Sequence, residues 1–166
     1  GMGGITLLAA GWIVVHGVSA RDTPTATEEV LARALRHLAV PMGERRRPNP
    51  IPPGPEVLAE GRAHWADHCA TCHGNDGRGD TEMGRNLYPK APDMTLDKTQ
   101  KLTDGELFAI IKNGVRLTGM PAWGNPTSEG DAQTWKLVHF VRHLREITPK
   151  ELDQMKDEFL SIASHQ

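Results

Sequence analysis

Cysteine is scarce in this chain: there are two, Cys69 and Cys72, among 166 residues. A disulfide-stapled scaffold is therefore excluded. Aromatic residues make up only 5% of the sequence, which is thin for a core of this size. Neither sign of charge predominates, since the formal net charge is −2, and so neither nucleic acid nor a polyanion is implied as a partner. The length allows one domain with appendages and is too short for two full cores. Residues 1–20 contain no Asp, Glu, Lys or Arg.

Both cysteines fall in one stretch, Cys69-Ala70-Thr71-Cys72-His73. C-x-x-C-H is the sequence form of covalent haem attachment. Two thiols on one helical turn reach the two vinyl groups of one porphyrin, and the histidine a step further round turns a ring nitrogen towards the iron. Two other readings of such a pair fit less well. A thioredoxin-like dithiol needs a strand-helix context, and the residues before Cys69 lack strand alternation. A zinc site needs two more ligands at comparable spacing, and no second cysteine pair exists. A buried haem would also add the flat apolar surface that the few aromatic residues do not supply.

The remaining chain divides into four parts. Residues 1–20 hold an apolar run, Gly3 to Ala20, that fits a signal peptide ending at Val18-Ser19-Ala20 or a membrane span, and a transmembrane anchor is expected. Residues 21–54 comprise a helix opened by the capping box Thr25-Ala26-Thr27-Glu28, with an apolar stripe of Val30, Leu31, Ala34, Leu35 and Leu38. A Pro-rich linker over 41–54 then reads as a semi-rigid spacer. The stripe needs a partner: the chain's own domain, another subunit or the membrane surface. Residues 55–148 form the central domain, where Gly61 and Trp65 predict a close crossing with a later helix carrying Trp135, Leu137, Val138, Phe140, Val141 and Leu144. Thr103-Asp104-Gly105-Glu106 is a further capping box, and Ser128 to about Glu146 reads as helix. Residues 149–166 form a last helix opened by Thr148-Pro149, with Leu152, Met155, Phe159 and Ile162 on one face.

CATCH, the Gly61/Trp65 helix, Ala91-Pro92-Asp93-Met94, Thr118-Gly119-Met120-Pro121 and the aromatic helix near residue 140 occur in the order of a class I cytochrome c domain. Over roughly residues 55–148 the chain resembles the membrane-anchored bacterial monohaem type related to cbb3 oxidase cytochrome c subunits. The resemblance implies an all-α fold around one covalent haem c, with an N-terminal transmembrane helix and extra helices at both ends. It also implies an iron liganded by His73 and a methionine sulfur, a pair that raises the reduction potential. Met120 is the expected methionine, against Met94 or a histidine. Met83 and Met94 follow His73 too closely for the chain to wrap a haem, while Met120 sits in a rigid irregular segment beyond a loop and a helix.

In the family a proline carbonyl accepts the Nδ1 proton of the proximal histidine; Pro92 matches that position, with Pro89 the less favoured choice. Arg85, Tyr88 and Trp123 are expected at the haem propionates or ring edge. His64, His68, His139 and His143 read as surface or hydrogen-bonded residues rather than ligands. With both axial positions filled, the function implied is one-electron carriage between a redox donor and acceptor, by a non-enzymatic subunit of a respiratory or photosynthetic complex in the inner membrane, haem domain in the periplasm. The competing expectation is a haem enzyme or gas sensor whose methionine bond opens.

Overall fold

The structure, a computed structural model, describes Gly4, residues 10–15 and residues 17–164, with side chains as far as residue 156. The expected anchor thus lies largely outside the described residues, as do the side chains of Phe159 and Ile162. Among the described residues no helix is long and apolar enough to cross a membrane, and there is no strand.

In chain order the helices are α1 (Ala26–Ala39), α2 (Met42–Arg45), α3 (Pro55–His64), a π-helical turn (Trp65–Cys69), α4 (Ala70–His73), α5 (Glu82–Arg85), α6 (Asp97–Gln100), α7 (Asp104–Asn113), α8 (Ser128–His143) and α9 (Pro149–Ser164). Local chemistry sets most of the starts. Thr25 and Glu28 close a reciprocal capping box on α1, Thr103 and Glu106 do the same on α7, and Thr148 with Glu151 repeats it at α9. α8 begins at Ser128 because Thr127 takes the capping position, its hydroxyl accepting from the Gly130 N–H. It ends at His143, a little short of the expected Glu146.

The core lies where α3 crosses α8, with α7 on the side. Trp65, Leu107, Phe108, Trp135, Leu137, Val138, Phe140, Val141 and Leu144 are buried there, and Met155 of α9 joins them. At the crossing a Cβ on Gly61 would lie 2.5 Å from the Lys136 carbonyl oxygen, so only glycine permits this approach. Phe108 stacks on Trp135 with ring centroids 4.1 Å apart. Arg142 fixes α8 to the start of α7, donating to Asp104 and to the carbonyls of Gln100 and Leu102.

Two features differ from the sequence expectation. The Pro-rich stretch after α1 is docked on the domain instead of standing as a spacer. The Arg47 guanidinium lies over Phe108 and Trp135, 5.0 and 5.3 Å from the ring centroids. Asn49 donates to the Trp135 carbonyl, the His139 ring pairs with the Ile51 carbonyl, and Thr103 donates to that of Arg45. Cation–π contact and satisfied backbone groups hold the strap down. The second feature is the π turn, in which the Ala70 N–H bonds to the Trp65 carbonyl. One inserted residue rotates the downstream chain, beginning with the cysteine turn, by about 100° relative to α3.

Candidate haem site

The site grows from α4. Trp65, 2% exposed, packs 5.6 Å from Phe140 in the core, and its indole N–H donates to the Gly74 carbonyl just past His73. The tryptophan thus pins the far end of the C-x-x-C-H turn to the hydrophobic core. From the other side the Thr81 hydroxyl, which caps α5 at the Gly84 N–H, lies within hydrogen-bond distance of the Thr71 and Cys72 carbonyls, 2.9 and 3.0 Å away. Satisfying these end-of-helix carbonyls keeps a very short helix formed.

Cys69 and Cys72 are both free thiols and partly buried. Burial, reinforced by the neighbouring Cys72, pushes the Cys69 thiol up to about 12. That is the reverse of a redox dithiol, where the attacking thiol is acidified. Among the described residues no group of three or more His, Cys, Asp or Glu side chains is arranged to hold a metal ion.

His73 completes the turn. Burial pulls its imidazole below the ordinary value, and the Pro92 backbone carbonyl partly offsets this. Its Nδ1 is buried and without a partner at full hydrogen-bond geometry, so the carbonyl acts on the ring without closing a bond. The strap carrying Pro92 is itself fixed: Ala91 N–H donates to the Gly84 carbonyl at 3.0 Å, and Met94 N–H to that of Gly77 at 2.8 Å. Gln100 ties the same strap to α8, donating to the carbonyls of Met94 and Val141.

Met120 lies on a loop between α7 and α8. Val115 N–H bonds to the Met120 carbonyl at 3.0 Å, and Met120 N–H donates to the Thr118 hydroxyl at 3.1 Å. The loop returns to α7 through Trp123 and Gly124, whose N–H groups reach the Ile111 and Lys112 carbonyls. It touches the segment after α5 at Gly119, where a Cβ would meet the Leu87 side chain at 2.6 Å. Leu117, at the tip, has a φ of 63° and is 94% exposed.

The remaining expected site residues have protein partners. Arg85 pairs with Asp80 at 2.6 Å, and the Tyr88 hydroxyl donates to Glu28 of α1 at 2.9 Å. Trp123 stacks on His68, ring centroids 5.2 Å apart and planes inclined by 23°. That stack and Thr81 are what sequence reasoning missed; a Thr-x-x-Gly capping pattern was the available signal for Thr81, and none pointed to the stack. The Met94 side chain packs against the core cluster and Met155 lies within it.

Two free thiols on one turn, followed by an imidazole with a buried Nδ1 whose basicity a proline carbonyl supports, are the donor set that a covalently attached haem requires. The residues present fit the group.

Comparison with known proteins agrees. The profile of the family described as "Cytochrome C oxidase, cbb3-type, subunit III" matches residues 56–141, just over half of the chain. Among curated proteins, the "Cbb3-type cytochrome c oxidase subunit FixP" of Rhizobium meliloti (strain 1021) is 36% identical over 94 residues, covering 56% of this chain and 29% of that protein. The FixP subunit of Sinorhizobium medicae (strain WSM419) is 34% identical over 80 residues, 45% of this chain and 25% of that protein. The subunit FixPc of Rhizobium leguminosarum bv. viciae is 35% identical over 98 residues, 56% of this chain and 30% of that protein. The chain therefore spans less than a third of the length of these relatives. On the profile match, which takes in the cysteine turn, Pro92 and Met120, the chain belongs to the cbb3-type cytochrome c oxidase subunit III family.

Proposed function

We propose that this chain is a one-electron carrier in which Cys69 and Cys72 hold a single haem c through thioether bonds and His73 and Met120 supply the two axial ligands. The haem, when bound, supplies exchange of one electron between Fe(III) and Fe(II). The chain's own residues bind, orient and enclose. α4 presents both sulfurs and the imidazole from one turn, and the Pro92 carbonyl raises the basicity of His73 against its burial. The observation that carries the reading is this turn: two unpaired thiols, Cys69 held neutral, beside an imidazole whose Nδ1 is buried.

Met120 is preferred as the second ligand because the alternatives are engaged elsewhere. Met94 packs on the core. Among the described histidines, His37 pairs with Glu106, His64 with Gln133, His68 with Trp123, His139 with Ile51 and His143 with Glu151. Arg85, Tyr88 and Trp123 remain the proposed contacts at the haem edge. With His73 and Met120 both on the iron, no coordination position would be left for a substrate.

The relatives are named as subunits of a cbb3-type oxidase. Carried to this chain, that supports reading the domain as an electron-transferring, non-enzymatic part of a membrane complex, lying in the periplasm, anchored through the uncharged stretch before Arg21 and passing electrons between a donor protein and other subunits.

The visible spectrum of the purified haem-loaded protein tests the ligand set. The oxidised form is expected to show the weak near-infrared band of methionine-to-iron charge transfer, and Met120→Ala to abolish it. A native protein without that band, or one that binds carbon monoxide rapidly when reduced, refutes the assignment and favours the open-site enzyme or sensor.

A further inference from the structure

The contacts of α1 run opposite to what its amphipathic pattern leads one to expect. At 100° per residue, Val30, Leu31, Ala34, Leu35 and Leu38 share an arc of about 140°, and Glu29 and Arg36 lie roughly opposite. It is the polar side that meets the domain. Tyr88 donates to Glu28 at 2.9 Å, Lys98 to Glu29 at 3.4 Å, and His37 pairs with the buried Glu106 at 3.0 Å. Arg45 donates back to the His37 carbonyl. The aliphatic side is turned outward: exposure runs from 56% at Leu35 to 71% at Leu38, and Met42, one turn beyond, is 65% exposed. No residue of α1 is buried.

We propose that α1 lies flat on a lipid bilayer, with Val30, Leu31, Leu35, Leu38 and Met42 at the boundary between headgroups and acyl chains. This rests on the membrane placement proposed above and adds an orientation to it. Three observations favour lipid over a protein partner. First, α1 follows a second apolar stretch in the sequence: residues 1–20 hold no charged side chain, and Val14, Val15 and Val18 are exposed. A bilayer takes up both apolar stretches, whereas a protein seated on α1 accounts for only one of them. Second, the stripe is an exposed aliphatic row without Phe, Tyr or Trp, which suits an interfacial helix and lacks the anchors on which protein interfaces depend. Third, Arg21 and Arg46 are exposed in the segments flanking the helix, where anionic headgroups attract them. Because Tyr88 of the candidate haem site bonds to α1 itself, a seated α1 sets that wall of the site at a fixed height above the membrane.

The test uses the haem-loaded full chain in liposomes of phosphatidylcholine and phosphatidylglycerol. Cys69 and Cys72 are consumed as thioethers, so one added cysteine is the single site for a nitroxide label. Leu31→Cys, Leu35→Cys and Leu38→Cys report the stripe; Ala32→Cys and Ala39→Cys report the opposite side. On the stripe, accessibility to oxygen relative to a water-soluble nickel chelate is expected to rise severalfold when liposomes are added, and at 32 and 39 to stay at its lipid-free value. If the protein floats with liposomes but every label stays open to nickel, the proposal for α1 fails and the anchor stands. Failure to float removes both. Stripe labels shielded from both reagents before lipid is added, in a protein that runs as a dimer, assign the face to a second copy and overturn the proposal.

Discussion

Replacing Trp123 by leucine severs the aromatic stack between the Met120 loop and the residue before Cys69. In the structure the indole lies on the His68 ring at a centroid distance of 5.2 Å, and such pairs are worth about 0.5–1.5 kcal/mol beyond their buried area. The loop keeps its backbone bonds to the Ile111 and Lys112 carbonyls, so the substitution loosens it without unfolding it. A shift of that size raises the open population of the loop by about two- to thirteenfold. If Met120 ligates the iron as proposed, an external ligand enters only when the loop opens, and so the rate of imidazole binding to the oxidised protein reads the opening directly. Trp123→Leu and His68→Ala are expected to speed binding by similar factors, and the double variant to be little faster than either, because one contact is lost in all three. Retention of the charge-transfer band at rest confirms that the ligand set is intact. Unchanged rates, or fully additive effects, refute the reasoning that the stack holds the loop.

Three further outcomes are expected. Gly61→Ala gains about 1 kcal/mol of helix propensity, but its Cβ would lie 2.5 Å from the Lys136 carbonyl and 3.1 Å from Phe140 Cβ. Overpacking of about 1–3 kcal/mol wins, which lowers the melting temperature by several degrees, whereas Gly43→Ala, with nothing within 4 Å, leaves it unchanged or higher. Burial raises the Glu106 pKa, but hydrogen bonds from Thr103 and the contact with His37 outweigh it and hold the carboxyl below its ordinary 4.5. The stability it contributes is therefore complete above that pH and is lost as pH falls through the lower folded value. Denaturant titrations in acid should show a shallower decline for Glu106→Gln. Leu117 sits in the left-handed region at about 1–2 kcal/mol with its side chain almost wholly in solvent. Leu117→Gly relieves that cost and gives back about 0.4–1 kcal/mol in unfolded-chain entropy, so the denaturation midpoint should stay or rise, and a clear fall refutes the account.

What was legible in the sequence is what depends on neighbours a few residues away. The C-x-x-C-H turn is one such case, and so are the capping boxes of Thr25 with Glu28 and Thr103 with Glu106. Gly61 announced a close crossing, and the crossing partner is the helix the pattern indicated. The docked strap was not legible. Prolines over 41–54 predict extended backbone, but Arg47 on Phe108 and Trp135, and Asn49 on the Trp135 carbonyl, are long-range pairs with no local signature. The π turn escaped for a similar reason, since the sequence WADHC reads as ordinary helix. For α1 the stripe was readable and its direction was not: three polar contacts with residues far along the chain decide which side faces the domain.

The two walls of the candidate site are held very differently, and this bears on how the proposed electron carrier would fail. On the histidine side, the imidazole follows a turn pinned to the core by Trp65, braced by Thr81 and faced by a strap bonded at Ala91, Met94 and Gln100. Dislodging it means disturbing the α3–α8 crossing itself. The methionine side hangs on two backbone bonds to the end of α7, one exposed aromatic stack and the contact of Gly119 with Leu87, with a strained residue at its tip. Local opening draws on the weakest contacts first. Mild heat or denaturant should therefore release the Met120 side well before the core melts, with the charge-transfer band lost while the helical signal persists. The domain would then keep its haem attached and its histidine in place while exposing a coordination position, so that tight electron carriage depends on the Met120 loop more than on the hydrophobic core.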